Sequence, residues 1–466
     1  MRIKRISVKN LFGTFDHEIP LNMDERVTIM IGPNGYGKTM ILKMVDEFFK
    51  GKYGLFFKIP FTEFTIYFED GSNVKLEKTP SKKEKRILPF SLFLVYTAVN
   101  AEPETIPLTD TESLFKSRDY FMIFRELLDE DLIDRETYYR IRRGADIDDL
   151  NSYPIIAEKY WELLSNELIT NKKLPAELAK NLLSDSGEKF IKFKDIIQKK
   201  GVNIYLIQTH RLVTVRKVSG EKKTDAEMPV VKVYSDELAS RIGDALKISA
   251  EKAQYLDGSF PKRVITQIPL EGTREKFKIL LKQLQELREK RVHLKETGIL
   301  VDLGDDPKIP ESIEDESRLK FLNGVLAEYV KDTQEKLAVF DDLANKIDLL
   351  KRVINIRFAP HKKMIISKEK GFVFLTSTGN ELAPEDLSSG EQHELVLLYE
   401  LLFRVPQGSL VLIDEPELSL HIAWQQKFLE DLLDITNIAK LDVLIATHSP
   451  DIIHDHWRLT VDLGGK

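Results

Sequence analysis

Apolar and polar positions alternate near the N-terminus, in RISV and again in HEIPLN, which predicts two strands with one face in a core. RVTIMI, residues 26–31, is mostly apolar and predicts a buried strand. GPNGYGKT follows it, and then MILKMVDEFF, whose apolar residues recur at helical steps. FTIYFEDGSNVKLEK predicts a hairpin turning at Asp70-Gly71. From about Thr111 to Lys200 the pattern is helical and rather polar, and a strand, VNIYLIQ, returns at Val202.

Between about Tyr234 and Arg352 the spacing predicts long amphipathic helices. Phe277, Leu280, Leu284, Leu287 and Leu294 lie on one stripe, and Leu322, Leu326, Tyr329, Phe340, Leu343, Ile347 and Leu350 on another. GDDPKIPES between them breaks the helix and lets the chain double back, so the expectation is a helical hairpin a few tens of Å long, at about 1.5 Å per residue. KMIIS and GFVFLTS then predict strands, followed by LSSGEQHELVLLYELL from Leu387, by LVLIDE and by LDVLIATH. In the first of these three stretches Ser389 with Gln392, or Ser388 with Glu391, fits a capping box at a helix start. Such a start turns free N–H groups and a partial positive charge outward. The chain has no internal repeat or low-complexity segment.

Composition narrows the classes. A chain of 466 residues is long for one compact core, so two or three lobes are expected. A hydrophobic fraction of 42% with 31% charged residues suits a folded soluble protein rich in helical surface. A net charge of −6 argues against a surface that is basic all over and leaves a local groove for nucleic acid open. With no cysteine, disulfides, thiol catalysis and thiolate metal sites are excluded. MRIKRISVKN is basic but lacks a following apolar region, so no signal peptide is expected. The longest apolar stretch, FSLFLVYTAV, has roughly half of the ~20 residues a bilayer span needs, so no membrane partner and a cytoplasmic location are expected.

Gly32–Thr39 matches G-x-x-x-x-G-K-T between a predicted strand and a predicted helix, the context of a phosphate-binding loop. Backbone N–H groups around Asn34, Gly35 and Gly37 would curl about a phosphate, with the helix offering its positive end. Lys38 would reach the β- and γ-phosphates of ATP, and the Thr39 hydroxyl would ligate Mg²⁺. The plainer alternative is a glycine-rich turn before an ordinary helix. Asp414 ends the apolar strand LVLIDE, where ligands bind in open α/β sheets, and is expected to hold Mg²⁺ through water. Glu415 beside it would orient and deprotonate the attacking water. Acidic pairs after apolar strands are often only solvated strand ends; the loop before them shifts that balance. His448, in IATHSPD, reaches the same sheet edge and is expected at the γ-phosphate, against the commoner lot of a strand-end histidine, a structural hydrogen bond. Gln208, after VNIYLI, is expected to sense Mg²⁺ and the attacking water, with a plain loop glutamine as the alternative.

In this order the motifs resemble those of the ABC-type ATPases of the SMC, RecF and OLD group. The resemblance covers about residues 1–80, 202–213 and 355–455, with Walker A at Gly32–Thr39, the signature LSSGEQ, Walker B LVLIDE, the D-loop region PELSLH, the H-switch His448 and a Q-loop candidate at Gln208. It implies an α/β ATPase head, a mixed sheet flanked by helices. Its parts would be an N-terminal lobe over residues 1–213 with a helical insertion at about 111–200, a short helical or coiled-coil arm over 214–354, and a C-terminal lobe over 355–466. It also implies a composite ATPase site: two heads pack head to tail, and Ser388 and Gly390 of one meet the γ-phosphate held by the other. The chain's expected partner is therefore itself, as a dimer or higher homo-oligomer.

Within that group, short arms and the absence of a CxxC apex depart from the long-armed branches, and with Ile452 to Lys466 after the H-switch no fused nuclease domain is expected. PELSLHIAWQ and IQTHRL resemble the stand-alone ATPases of anti-phage systems, the PARIS family in particular. That resemblance implies an oligomeric sensor and scaffold controlling a separately encoded nuclease effector of TOPRIM type, released by a viral trigger protein. The alternative is a RecF-like DNA-binding repair ATPase, for which Lys78, Lys82, Lys83, Lys85 and Arg86 form a candidate phosphate-contacting run; a solvated charged loop is the commoner meaning of such a run.

Overall fold

The structure, a computed structural model, describes residues 1–80, 90–108, 185–207, 213–216, 226–267, 273–300, 313–418 and 420–464. Gln208, Lys82 to Arg86, the GDDPKIPES loop and most of the helical stretch expected at about 111–200 lie outside the described residues. The chain runs β1 (Ile3–Leu11), β2 (Phe15–Pro20), β3 (Val27–Ile31), α1 (Lys38–Phe49), α2 (Gly54–Lys58), β4 (Glu63–Phe68), β5 (Asn73–Pro80), β6 (Phe90–Thr97) and β7 (Glu104–Pro107). Then come α3 (Asp185–Lys200), β8 (Ile204–Ile207), β9 (Val213–Arg216), β10 (Ala226–Pro229) and four helices: α4 (Val230–Gln267), α5 (Arg274–Thr297), α6 (Glu316–Leu337) and α7 (Asp341–Phe358). β11 (Lys362–Ser367), β12 (Gly371–Thr376), β13 (Glu381–Leu382) and α8 (Ser389–Tyr399) follow, and the chain closes with β14 (Leu410–Asp414), α9 (Ile422–Ala439), β15 (Asp442–Ala446), α10 (Pro450–Ile453) and β16 (Thr460–Asp462).

The chain forms two compact units. The first comprises Met1–Thr209, Val405–Leu418 and Gln425–Lys466, and the second His210–Arg404 and Ser419–Trp424. The α/β expectation holds, with parallel and antiparallel strands sorted into separate sheets of the first unit. Five parallel strands stand in the order β16-β3-β15-β14-β8, and six antiparallel ones in the order β2-β1-β4-β5-β6-β7. Apolar faces of both sheets meet α1 in one core, where Ile6, Leu11, Ile41, Met44, Phe64 and Leu412 are all 0–1% exposed. α3 closes that core with Phe193, whose ring lies 6.4 Å from that of Phe48. Its last residue, Lys200, donates to Asp70 Oδ2 at 2.8 Å and Ser72 Oγ at 2.7 Å, anchoring the helix end to the β4–β5 turn.

In the second unit the stripe Phe277, Leu280, Leu284, Leu287 and Leu294 is buried as its spacing predicts. In the later stripe Leu326, Phe340, Ile347 and Leu350 are buried, while Leu322, Tyr329 and Leu343 stay half-buried. The two stripes meet as α5 packs on α6, and α4 packs in turn on both α6 and β12. Arg263 of α4 holds Asp332 of α6 with both guanidinium nitrogens, at 2.8 and 2.6 Å. Against the sheet, Ser235 Oγ accepts from Phe372 N–H at 3.0 Å. Gly371 has φ +74, and a Cβ there would sit 1.8 Å from Ser235 O, so only glycine allows α4 so close. Residues 355–404 group with these helices and not with β14 and β15.

Candidate functional site

In a parallel sheet all carboxyl ends lie at one edge. β3 leads there into the 32–37 loop, β14 ends at Asp414, and β15 ends just before Thr447 and His448. The loop turns into α1 at Gly37, whose φ of +88 is left-handed and whose Cβ, if present, would overlap Leu11 Cδ2 at 2.5 Å. β2 braces the loop from outside. The His17 ring nitrogen Nε2 hydrogen-bonds Tyr36 O at 2.9 Å, and the Phe15 and Tyr36 rings stand 4.6 Å apart. Asn34 and Gly35 are exposed at the loop tip, with backbone free to approach a ligand.

Lys38 is buried, and its ammonium donates to Gly32 O at 2.7 Å and Pro33 O at 3.2 Å. Nζ also lies 3.3 Å from His448 Nδ1. An ammonium has only donors, so Nδ1 is the accepting nitrogen and the neutral ring carries its proton on Nε2. Nε2 faces Glu415 Oε1 at 3.9 Å. Burial pushes the Lys38 pKa down, while Glu415, Asp414 and Glu417 pull it back up.

Thr39 Oγ1 donates to Asp414 Oδ1 at 3.0 Å, so the hydroxyl and carboxylate expected at the metal are already neighbours. Burial raises the Asp414 pKa against the lowering effect of that hydrogen bond. Among the described residues no group of three His, Cys, Asp or Glu side chains could cage a metal by itself. The donor set fits Mg²⁺ nonetheless, because that ion is commonly held by a hydroxyl or carboxylate, water and the oxygens of a phosphate substrate. Glu415 takes the left-handed φ of +45, and its N–H is fixed on Ala446 O at 2.8 Å, an uncommon backbone for a side chain of its size.

Sequence reasoning missed Glu417, two residues further on. Its Oε1 accepts from Thr447 Oγ1 at 2.8 Å and from the His448 N–H at 3.0 Å. The stretch PELSLH carries no periodicity that would point to it; the short 3-10 turn Pro416–Leu418 aims it.

The signature stretch belongs to the second unit. Of the two capping boxes open in the sequence, the structure forms the one at Ser388: its hydroxyl accepts from Glu391 N–H at 3.4 Å, and Glu391 Oε2 accepts from Ser388 N–H at 2.8 Å. Lys362 braces that box, since its ammonium grips both Glu391 oxygens, at 2.8 and 2.6 Å. Burial acts to raise the Glu391 pKa, yet the bonds from Lys362 and Ser388 outweigh it and the carboxylate titrates low. Gln392 instead donates to Glu385 O and Leu387 O, and a buried Arg357–Glu394 pair ties α8 to α7. Ser388 is exposed, and a Cβ on Gly390 would meet nothing within 4 Å. Packing among the described residues therefore does not call for that glycine.

Lys78, the first lysine of the basic run, turns inward. It donates to Phe56 O, Phe57 O and Ile59 O at 3.2, 3.2 and 2.9 Å and lies 3.8 Å from the Phe90 ring centre, and burial pushes its pKa down to about 8. No helix among the described residues is long and apolar enough to cross a membrane.

The model of a protein family described as "AAA ATPase domain" matches residues 1–453. No curated protein matches the chain. Among solved structures, the SMC head domain with an extended coiled coil bound to the C-terminal domain of ScpA, from Pyrococcus furiosus, is 14% identical, with 97% of this chain and 90% of that one covered and a TM-score of 0.30. The SMC head domain from Thermotoga maritima is 10% identical, with 98% and 93% covered and a TM-score of 0.31.

Proposed function

This chain belongs to the AAA ATPase domain family, and we propose that it hydrolyses ATP with Mg²⁺ at the edge where Lys38, Thr39, Asp414, Glu415 and His448 meet. One observation carries the reading: the Lys38 ammonium, held by loop carbonyls, stands 3.3 Å from His448 while the adjacent Thr39 touches Asp414. Three separate strand ends thus converge on one spot suited to a triphosphate. Lys38 exchanges its carbonyl partners for β- and γ-phosphate oxygens when ATP binds. Thr39 and Asp414 would hold Mg²⁺, which supplies neutralisation of phosphate charge. Glu415 accepts the proton of the attacking water, and His448 donates Nε2–H to the γ-phosphate. Gln208, outside the described residues, stays a candidate for the metal and water contacts on its sequence position alone.

The site is read as composite, with Ser388 and Gly390 closing on the γ-phosphate of a second copy. The exposed helix cap, with Glu391 held by Lys362, and the glycine that no neighbour among the described residues requires support this. In this reading the chain, in the cytoplasm, is an ATP-driven homo-oligomeric scaffold of the PARIS type. It would restrain a separately encoded TOPRIM nuclease until a viral trigger protein binds. The likeness of PELSLHIAWQ and IQTHRL to such stand-alone ATPases supports that assignment. The RecF-like alternative loses Lys78 as a DNA contact, because that side chain is engaged internally.

The test is phosphate release by the purified chain with Mg-ATP, wild type beside Glu415→Gln. The variant should bind ATP as well as wild type and lose hydrolysis by about two to four orders of magnitude. Full-rate hydrolysis by the variant would overturn the assignment of the base.

A further inference from the structure

We propose that Glu417 is a positioning residue for His448 in this reaction, an inference that rests on the ATPase reading above. Glu417 Oε1 receives two hydrogen bonds from the loop after β15, from the Thr447 hydroxyl at 2.8 Å and the His448 N–H at 3.0 Å. The network continues backward, since Ser449 N–H donates to Thr447 Oγ1 at 3.0 Å and so orients that hydroxyl toward the carboxylate. Thr447 is fully buried, which leaves its hydroxyl no solvent to exchange with. The second oxygen, Glu417 Oε2, is buried and has no hydrogen-bond partner among the described residues. An unpartnered buried carboxylate oxygen is costly. A staple with no other duty is better made by a main-chain carbonyl.

The geometry gives that cost a purpose. The His448 backbone is pinned at its own N–H while its ring is held at Nδ1 by Lys38, 3.3 Å away. Two fixed points, one on the main chain and one on the ring, leave Nε2 a narrow range of directions. Glu417 also ties His448 to the turn carrying Glu415, whose N–H is bonded to Ala446 O at 2.8 Å. The proposed base and the proposed γ-phosphate donor are thereby set by the same pair of turns. Glu417 touches neither phosphate nor water in this scheme; it acts through His448.

The experiment compares His448→Ala, Glu417→Ala, Glu417→Gln and the double variant Glu417→Ala/His448→Ala in the full chain, with ATP affinity and kcat measured separately. His448→Ala should lower kcat by about 100-fold, the usual loss for one donor to a transition-state oxygen. Glu417→Ala should lower kcat at least ~10-fold with ATP affinity within about twofold, and the double variant should be no slower than His448→Ala, as coupled residues behave. Glu417→Gln keeps a carbonyl acceptor at the same place and should recover kcat to within about threefold of wild type. If Glu417→Ala fails to fold, Thr447→Val removes one of the two bonds; its loss should be about threefold and vanish in the His448→Ala background. Wild-type turnover by Glu417→Ala, or losses that multiply in the double variant, would overturn the positioning role alone. A His448→Ala variant that hydrolyses normally would overturn the site reading beneath it.

Discussion

Lys38 Nζ and His448 Nδ1 stand 3.3 Å apart across 410 positions of sequence, so the lysine selects the tautomer of the histidine. Its own bonds to Gly32 O and Pro33 O keep the ammonium in place when no phosphate competes for it. Lys38→Ala should therefore remove both a phosphate ligand and the anchor of the His448 ring. Charge-assisted hydrogen bonds contribute about 1.5–3 kcal/mol each, and losing two of them weakens ATP binding by roughly 100-fold or more. Titration calorimetry checks this; unchanged affinity would remove the phosphate site from the 32–39 loop.

Gly37 supplies a second test, of the loop's shape. Alanine there adopts the left-handed backbone at about 1–2 kcal/mol, and its Cβ would further overlap buried Leu11, at 2.5 Å in the present packing. Gly37→Ala should lose at least that much stability in urea unfolding and bind ATP more weakly. Adding Leu11→Ala would not restore binding if the backbone angle is what matters. Recovery to wild-type affinity in the double variant would show that overlap alone is at fault.

Much of this edge was legible in the sequence because it is local: a glycine loop before a helix, and acidic or imidazole side chains at the ends of apolar runs. What was not legible depends on neighbours distant in the chain. Glu417 became visible only when the turn Pro416–Leu418 brought it to Thr447. The brace on the Ser388 cap comes from Lys362, 29 positions from Glu391. FSLFLVYTAV served only to argue against a membrane span; as β6 it pairs with β5 and β7. β16 is three residues long and without periodicity, yet it completes the parallel sheet beside β3.

Asp70 contributes to the acid side of the stability curve. Burial acts to raise its pKa, but Lys200 and Ser72 outweigh that and hold it at about 2, below the ordinary value of 3.8. A carboxylate depressed in the folded state stabilises above its unfolded pKa and loses that contribution as pH falls through the folded one. The Asp70–Lys200 contribution should thus be complete near neutrality and fade between about pH 4 and pH 2. Asp70→Asn should be modestly less stable than wild type at pH 7, because the carboxylate is partly exposed, and the difference should close by about pH 2. Chemical denaturation at stepped pH reads it directly. A gap between the two proteins that stays constant with pH would place the low pKa elsewhere.

The signature helix allows its cap and its proposed second duty to be separated. Ser388→Ala removes a capping hydroxyl and should cost about 0.5–2 kcal/mol of stability whether or not a second copy is ever bound. Gly390→Ala is the opposite probe: open space surrounds its Cβ, and alanine in a helix is favoured over glycine by up to about 1 kcal/mol. A chain that used this glycine only for itself would gain or hold stability and hydrolyse ATP unchanged. If the glycine gives a second copy's γ-phosphate room to approach, Gly390→Ala should keep its fold and its ATP affinity while losing turnover and ATP-dependent association. Sedimentation of Glu415→Gln with and without Gly390→Ala, each with Mg-ATP, separates the two cases. Equal association in both would end the composite-site reading, and association lost only with Gly390→Ala would locate the contact at the helix start behind Ser388.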